Sequence, residues 1–539
     1  MTLWLGRVAI FLGLLGVLAL PVGAQGASGV DDGQALRASL AHLQARASQW
    51  GIQNASQEFR LRKVVRDSLG QTHVRLDQVH QGVPVFGKQL IVHLDRSGAP
   101  QSVTGAYLAG IAVATQPAIS ADHARTVATQ QFPGPLAKTP EAELVLYPRD
   151  GQVQLVYRVV LSDDAAPRRI VAFVDAATGQ VVHSYNDLRT LFRSSALALE
   201  LSAAGSTSAA PAATVAATGI GNSLYSGTVT ITTDLSGSTY SMLDPTRGGL
   251  SAVDMRNLRF GAGKIFTDAD NVWGDGTTSD RASAGVDGHF GAESTWDYYL
   301  TVHGRNGIFD DGVGTLSRVH YGRRYNNAFW SDSCRCMTYG DGDGSVFSPL
   351  VSLDVAGHEM THGVTSATAG LIYSGESGGL NEAMSDIFGT MVEFYAAANG
   401  ATKTPNYLIG EDVFTPATPG DALRYMDNPT QDSNSIDTYD DYFNGLDVHY
   451  SSGIANLAFY LLAEGGPHPT DPLETPVTGI GRSAAEQIFY RALTVYMIPS
   501  ETFSQARAHT IQAAQDLVDL LGSQAVISVG QAWDAVDVP

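Results

Sequence analysis

The chain has few cysteines and few positive charges. Two cysteines in 539 residues exclude a disulfide scaffold and a four-thiolate zinc site. Lys and Arg number 33 against 54 Asp and Glu, so the formal net charge is −21, which argues against nucleic acid as a partner. Because 44% of the residues are hydrophobic and only 16% are charged, the chain can bury a sizeable core. Its length suggests three to four folding units of roughly 150 residues each.

The chain also lacks a long apolar run. The 13 residues from 8 to 20 are too few for a bilayer span, which needs ~20 residues. Arg7 precedes this run and the small-residue pattern of residues 22–24 follows it, as in a secretory signal peptide. A membrane anchor is the alternative. We expect residues 1–24 to be a signal peptide and the protein to be secreted, without a membrane partner.

Hydrophobic patterns divide the rest of the chain. Residues 25–204 alternate helix-like and strand-like stretches, which predicts one or two α+β modules. An Ala-, Ser-, Thr- and Gly-rich stretch follows and predicts a flexible linker and processing region at 205–218. Strands and Gly/Asp-rich loops predict a β-rich lobe over 219–360, and helical patterns an α-helical lobe over 361–539. The fold class is α+β, and the order suggests a proprotein or two permanently tethered domains.

Two capping boxes predict helix starts in the last part of the chain. Each has a hydroxyl residue followed three positions later by Glu or Gln, which can satisfy two backbone donors reciprocally. They are Ser483 with Glu486, and Thr502 with Gln505. Gly522 is expected to end the second of these helices.

Two segments carry the residues of a metal site. In His358-Glu359-Met360-Thr361-His362 the two histidines are four residues apart, so on a helix both imidazoles reach one metal ion. Glu359 can then reach a metal-bound water. Glu382 would be the third ligand of a catalytic zinc site, and Asp386, one turn later, could fix the tautomer of a liganding histidine. The alternative is a surface carboxylate pair on a helix.

With Asn381, these segments form H-E-x-x-H and N-E-x-x-x-D at the spacing of the thermolysin family of zinc endopeptidases, which the chain resembles over nearly its whole length. Residues 73–76, 82–87 and 173–179 resemble the propeptide of that family. The resemblance implies a propeptide of two α+β modules followed by a two-lobed thermolysin-like catalytic domain. One catalytic zinc ion would then lie on the helix between the lobes.

The resemblance also implies catalytic roles. Glu359 would be the general base, and Tyr373 and His449 would hold the tetrahedral intermediate. Asp447 would orient His449, as in the pseudolysin and vibriolysin variant, because Asn444 stands where thermolysin has an aspartate.

Substrate contacts follow from the same resemblance. Asn327 and Ala328 lie on the strand that would hold the substrate backbone, and Arg424 would grip a substrate carbonyl. The matching positions of the specificity pocket are apolar: Phe347, Leu350, Val355, Ile409 and Leu423. We therefore expect cleavage on the amino side of large apolar residues, although plain core packing would explain these five residues equally well.

One or more structural calcium ions are also implied. The main site would consist of Asp354, Glu393, Glu411 and the Leu408 carbonyl. It would hold one ion, since Asn406 and Leu408 replace two carboxylates of thermolysin's double site. A second site would use Asp268 and Asp270, and a third Thr415 and Asp421. Solvated acidic loops are the alternative.

Cys334 and Cys336 are not part of the common family pattern. They could form a C-x-C disulfide, remain free thiols or link two chains.

The expected function is a secreted zinc endopeptidase, made as a self-processing proenzyme, that cleaves proteins and peptides by attack of a zinc-bound water. Its own propeptide would act as intramolecular chaperone and inhibitor, and we expect a monomer. A non-catalytic binding protein on the same fold would lack Glu359, Tyr373 or His449, and all three are present. A zinc aminopeptidase would need a G-x-M-x-N type motif for the free amine, which the sequence lacks.

Overall fold

A computed structural model describes residues 30–192 and 215–539, apart from residues 133, 135, 137 and 164–166. The predicted signal peptide and residues 205–214 of the predicted linker lie outside these described residues. Within the described part, none of the helices combines the length and the apolar character that a bilayer span needs.

The N-terminal unit is built on one eight-stranded sheet. Its strands are Phe59–Arg66, Thr72–His80, Val83–Leu94, Pro100–Ala106, Glu141–Arg149, Gln152–Asp163, Arg168–Asp175 and Val181–Asn186. Helix Asp32–Ala45 packs on the first half and helix Ala121–Gln130 on the second, each over its own apolar cluster. Two further short helices are Ala47–Trp50 and Ala55–Glu58. A parallel pair at Val85 and Leu146 joins the two α+β halves.

The next unit is a lobe of short strands around one long helix, Arg281–His303. One sheet has five strands: Val215–Asn222, Thr228–Ser236, Thr239–Ser241, Thr267–Asp268 and Val272–Trp273. The other contains Leu243–Asp244, Leu250–Asp254, Lys264–Ile265, Leu316–Val319, Ala328–Ser331 and Cys336–Tyr339. The β-rich lobe is therefore as expected, and its first strand begins within the predicted linker.

The last unit is helical and surrounds the largest apolar core. Its helices are Leu353–Ala367, Gly375–Ala398, Val448–Ser451, Gly453–Glu464, Arg482–Arg491, Phe503–Asp516, Val518–Leu521 and Ser523–Asp534, with a π-helical turn at Ala492–Tyr496. A two-stranded pair, Leu408–Ile409 and Arg424–Tyr425, completes it. The α+β class and the two-lobed arrangement are confirmed.

One capping prediction is confirmed and one is wrong. Thr502 caps its helix with both hydrogen bonds of the box. Ser483 is the second residue of a helix whose N-cap is Gly481, and no side chain caps that helix. Gly522 ends the short helix Val518–Leu521 that follows the capped one.

Two glycines bring the two long helices of the last unit together. A Cβ atom at Gly389 would lie 2.6 Å from the Asp354 carbonyl oxygen and 2.9 Å from the His358 amide nitrogen. A Cβ at Gly357 would lie 2.9 Å from the Gly389 Cα. Only glycine permits this contact, and it brings helix Gly375–Ala398 against the helix that carries His358.

The N-terminal unit docks on the helical lobe through buried cations. Arg75 is fully buried and donates to the carbonyl oxygens of Met497 and Thr494 at 2.9 and 3.0 Å. Arg491 of the lobe donates to Asp67 at 2.7 Å. His73 and Arg491 hold the pKa of Asp67 down at about 2 although burial alone would raise it, so this interface pair is charged at neutral pH.

Candidate active site

Three side chains on the two packed helices converge on one point. His358 and His362 share one face of helix Leu353–Ala367, and Glu382 faces them from helix Gly375–Ala398. The Nε2 atoms of the histidines lie 3.5 and 3.4 Å from the carboxylate oxygens of Glu382. All three side chains are completely buried.

This trio fits a zinc ion. Among the described residues, the Nε2 atoms of both histidines and Oε2 of Glu382 are buried without a hydrogen-bond partner, a costly arrangement unless something binds them. Tetrahedral zinc with ligands at ~2.1 Å separates those ligands by about 3.4 Å, which matches the distances within the trio. Two imidazoles and one carboxylate leave a fourth position open, as in catalytic zinc sites.

A second set of groups orients the two imidazoles. Asp386 Oδ1 lies 2.9 Å from His358 Nδ1, and Asn381 Oδ1 lies 2.8 Å from His362 Nδ1. Each acceptor holds a proton on Nδ1 and so leaves Nε2 free to bind a metal. Sequence reasoning assigned this role to Asp386 but gave none to Asn381, although both belong to the same motif.

Asp386 is the centre of a buried network. Its carboxylate also accepts from Arg424 Nε and Nη2 at 2.8 and 2.6 Å and from Asn456 Nδ2 at 2.9 Å. Burial alone would raise the pKa of Asp386, but Arg424 and His358 outweigh it and hold that pKa far below its usual range. Asn456 was not predicted, because no local motif marks it.

Glu359 lies between the two histidines in the sequence, and its side chain is buried. Burial first, and then the charge of Glu382, raises the pKa of its carboxyl well above the usual range. Arg424 and the backbone amides of Leu191 and Trp330 act in the opposite direction. A carboxyl in such a place can exchange a proton with a reacting group at neutral pH.

Tyr373 and His449 lie next to Glu382 of the trio. The Tyr373 hydroxyl donates to Glu382 Oε1 and lies 3.3 Å from His449 Nε2. His449 Nδ1 is 2.7 Å from Asp447 Oδ1, whereas Asn444 is exposed. Burial would lower the pKa of His449, but the charges of Glu382 and Asp447 prevail and raise it, which favours the cationic imidazolium.

A strand of the N-terminal unit lies in the cleft beside these groups. We call residues 189–192 the inserted segment; its first two residues, Arg189 and Thr190, pair antiparallel with the edge strand Ala328–Ser331. The Leu191 amide donates to the Ala328 carbonyl at 3.2 Å. Asn327 accepts from the Phe192 amide at 3.1 Å and donates to its carbonyl at 2.6 Å. Both Asn327 and Ala328 therefore hold a peptide backbone, but that of this chain itself.

The inserted segment also contacts the side chains of Arg424 and His449. Arg424 Nη1 donates to the Leu191 carbonyl at 2.8 Å, and His449 Nε2 donates to the Thr190 carbonyl at 2.7 Å. Local sequence patterns gave no sign of this insertion, because pairing between distant segments leaves no local signature.

The five predicted pocket residues are all buried, and all belong to the main core cluster. Leu191 is fully buried in the same cluster. Phe192 packs its ring 5.8 Å from that of Phe347 and lines a cavity of about 350 Å³ with Phe414, Leu423 and Arg424. Of the five predicted pocket residues, only Leu423 lines this cavity, and the other four belong to the apolar core.

The carboxylates of the predicted main calcium site gather around a lysine. Lys403 Nζ lies 2.5 Å from Glu393, 2.8 Å from Glu411 and 2.5 Å from Asp412, a residue not predicted for this site. Burial raises the pKa of Glu393 to about 8 despite the ammonium group. Asp354 accepts from the Gly410 amide at 2.6 Å.

Of the other predicted calcium ligands, Asp268 ends strand Thr267–Asp268, and Asp270, Thr415 and Asp421 lie in loops. Asp268 accepts from the amides of Asp270 and Asn271, both at 2.8 Å, as in a tight turn. Thr415 donates to Asp421 at 2.6 Å.

The two cysteines, Cys334 and Cys336, are joined in a disulfide. A disulfide is one of the three states that the sequence allows. The bond lies at the start of strand Cys336–Tyr339, away in sequence from His358, His362 and Glu382.

Three potential metal ligands beside a cleft that binds an extended peptide define a metallopeptidase. The eight-stranded sheet of the N-terminal unit is then its propeptide. Residues 218–366 match the profile of the thermolysin metallopeptidase catalytic domain, and residues 369–538 that of its alpha-helical domain. Residues 57–107 match the fungalysin/thermolysin propeptide motif. The chain belongs to the thermolysin family of metallopeptidases.

Two relatives found by sequence agree with this assignment. Thermolysin of Alicyclobacillus acidocaldarius is 40% identical over 88% of this chain and 84% of its own length. The transglutaminase-activating metalloprotease of Streptomyces mobaraensis is 42% identical over 90% of this chain, which spans 61% of that relative. Among solved structures, the precursor of protealysin from Serratia proteamaculans is 30% identical, with a TM-score of 0.43 over 55% of this chain and 89% of its own.

Proposed function

We propose that the protein is a secreted zinc endopeptidase, made as a self-processing proenzyme, that cleaves on the amino side of large apolar residues. The observation that carries the proposal is the buried trio His358, His362 and Glu382, whose ligand atoms lie within 4.8 Å of one another, with Glu359 beside it. A zinc ion held there would lower the pKa of water and polarise a peptide carbonyl.

The side chains around the trio supply the remaining steps. Glu359 takes a proton from the attacking water and delivers it to the leaving nitrogen. His449 and Tyr373 hold the oxyanion that develops on the carbonyl, and Asp447 keeps the His449 ring in place. Arg424 and Asn327 hold the substrate backbone. The general acid–base step contributes typically about 10²- to 10⁴-fold.

The propeptide is proposed to inhibit the enzyme and to assist its folding. The inserted segment fills the cleft that a substrate would need, which supports inhibition. Arg75 and Arg491 tie the propeptide to the helical lobe, and an element bound there stabilises the lobe as it forms. Secretion follows from the signal-like N-terminus, and we propose a monomer.

Peptide digestion tests this function. A peptide blocked at both ends, with one central leucine preceded by small polar residues, should be cut internally on the amino side of that leucine. A matched peptide with aspartate in its place should be cut at least about 100-fold more slowly, because a charge in the apolar pocket is left unpaired.

A chelator should abolish both reactions, and added zinc should restore them. An aminopeptidase would leave the blocked peptide intact, and a non-catalytic binding protein would leave it intact and still take up zinc. Either result would remove the proposal.

We further propose that one calcium ion binds among Asp354, Glu393 and Glu411, with the Leu408 carbonyl, after Lys403 swings out. Glu411 and Asp412 alone exceed the single charge of the lysine, so a divalent cation balances the cluster better. Weaker second and third sites at Asp268 with Asp270 and at Thr415 with Asp421 remain part of the proposal.

Thermal unfolding in calcium tests the main site. Calcium at 100 times its dissociation constant should stabilise the protein by about 2.7 kcal/mol, seen as a rise in Tm. Lys403→Met should enlarge the rise because the competing ammonium is gone, and Glu411→Gln should reduce it. If neither the wild type nor Lys403→Met responds to calcium, Lys403 is the resident cation and the calcium proposal is wrong.

A further inference from the structure

The inserted segment lies in the cleft as a substrate would, in register with the catalytic groups. Thr190 pairs with Phe329 and Arg189 with Trp330 of the edge strand, in antiparallel orientation. The Leu191 amide donates to the Ala328 carbonyl, and Asn327 makes both an accepted and a donated hydrogen bond with Phe192. Backbone hydrogen bonds of this kind are how extended peptides add to the edge of a sheet.

The carbonyl nearest the oxyanion-holding groups identifies one peptide bond. His449 Nε2 donates to the Thr190 carbonyl at 2.7 Å, and the Tyr373 hydroxyl lies 3.3 Å from the same nitrogen. The next carbonyl along the chain, that of Leu191, is held instead by Arg424 at 2.8 Å. The bond between these two carbonyls is the amide of Thr190 and Leu191.

The residue that follows this bond, Leu191, is large and apolar, as the proposed specificity requires. Leu191 is fully buried, in the cluster that contains Val355, Ile409 and Leu423. It is a large apolar residue on the carboxyl side of the bond.

The residues before the bond are held firmly. The Arg189 side chain donates to Asp332 at 2.9 Å and to Ser366, and Leu188 is buried among Val253 and Phe329. The bond is thus presented with ordered residues on both sides.

We propose that the Thr190–Leu191 bond is the first bond that the enzyme cuts in its own chain, upstream of the predicted linker. This inference rests on the proposed endopeptidase function. In the reaction the carbon–nitrogen bond breaks, the oxygen of one water joins the Thr190 carbonyl carbon, and both protons of that water end on the Leu191 nitrogen, which becomes an ammonium group. The products are a carboxylate at Thr190 and a new amino terminus at Leu191.

Time-resolved N-terminal mapping of the full chain tests the order of cutting. Samples quenched with a chelator should show Leu191 as the first new terminus, before any terminus in residues 205–218. Leu191→Met should keep this cut. Leu191→Glu should slow it by at least about 10-fold, because it buries a charge where the wild type buries an apolar side chain.

A second measurement does not depend on turnover. In full-length Glu359→Ala, hydrogen exchange at the Leu191 and Phe192 amides should be slow because both are hydrogen-bonded. Adding Leu191→Glu should make it at least about 10-fold faster, and adding Leu191→Met should leave it slow.

Several results would overturn the inference. If the first new terminus lies elsewhere and Leu191 never appears as a terminus, the inference is wrong. The proposed function would still stand if the matured protein hydrolyses casein. A Leu191 terminus in Glu359→Ala would assign the cut to another protease. Fast exchange at both amides in Glu359→Ala would show that the segment does not occupy the cleft. If neither the chain nor casein is cut, the proposed function fails and this inference fails with it.

Discussion

Replacing Glu359 by alanine should abolish proteolysis and leave the metal in place. Glu359 is not one of the three ligand residues, which are His358, His362 and Glu382. The change removes only the carboxyl proposed to move the proton from water to the leaving nitrogen. Casein hydrolysis should fall by about 10²- to 10⁴-fold, the usual contribution of a general base, while the zinc content stays at one ion per chain.

The same variant should also stay full length. Wild-type chain that matures and cuts casein, beside a Glu359→Ala chain that binds zinc and remains uncut, would support both proteolysis and self-processing. Glu359→Asp is the matched control, because it keeps the carboxyl but withdraws it by about one methylene, and it should retain partial activity. Zinc loss in Glu359→Ala would mean that the carboxyl helps to hold the metal, contrary to the proposed role.

Much of the metal trio could be predicted because its geometry is local. Residues four apart on a helix share one face, so His358 and His362 needed no tertiary information. Glu382 lies on the next helix, and its position depends on the close approach at Gly357 and Gly389. A glycine inside a helical pattern is a signal of such an approach, but it does not say which helix comes near.

Features that depend on distant residues could not be predicted. The inserted segment reaches the cleft only because the propeptide sheet docks on the helical lobe through Arg75 and Asp67. Lys403 was overlooked among the acidic residues that it joins, since charge pairing across loops has no fixed spacing. At Ser483 the error is the opposite one, because a local pattern was trusted too far. The capping-box pattern is present, but the helix already starts one residue earlier, at Arg482.

Asp386→Ala should cause the largest loss of stability of any single change at the site. The carboxylate accepts two hydrogen bonds from Arg424 and one each from His358 and Asn456, all buried. Its removal leaves the Arg424 charge, which is 4% exposed, without its main partner. Breaking a buried pair in this way costs about 3–5 kcal/mol, and urea unfolding at pH 7 measures it.

Zinc affinity should fall as well, by about 10- to 100-fold, because His358 loses the acceptor that fixes its tautomer. A chelator competition at low temperature, where the variant is folded, measures this separately from stability. Asn456→Leu is the control, since it removes a single hydrogen bond from the same carboxylate and keeps the Arg424 pair, and it should cost only about 1.5–3 kcal/mol.

The pH dependence of stability distinguishes the contribution of the Asp386 charge from that of its side-chain packing. The folded pKa of Asp386 lies below that of the unfolded chain, so its contribution is present at pH 7 and is lost as the pH falls below the ordinary range for aspartate. The stability difference between wild type and Asp386→Ala should therefore shrink on acidification. A difference under about 1 kcal/mol at pH 7, with unchanged zinc affinity, would mean that Glu382, 3.9 Å from Arg424, takes over as its partner.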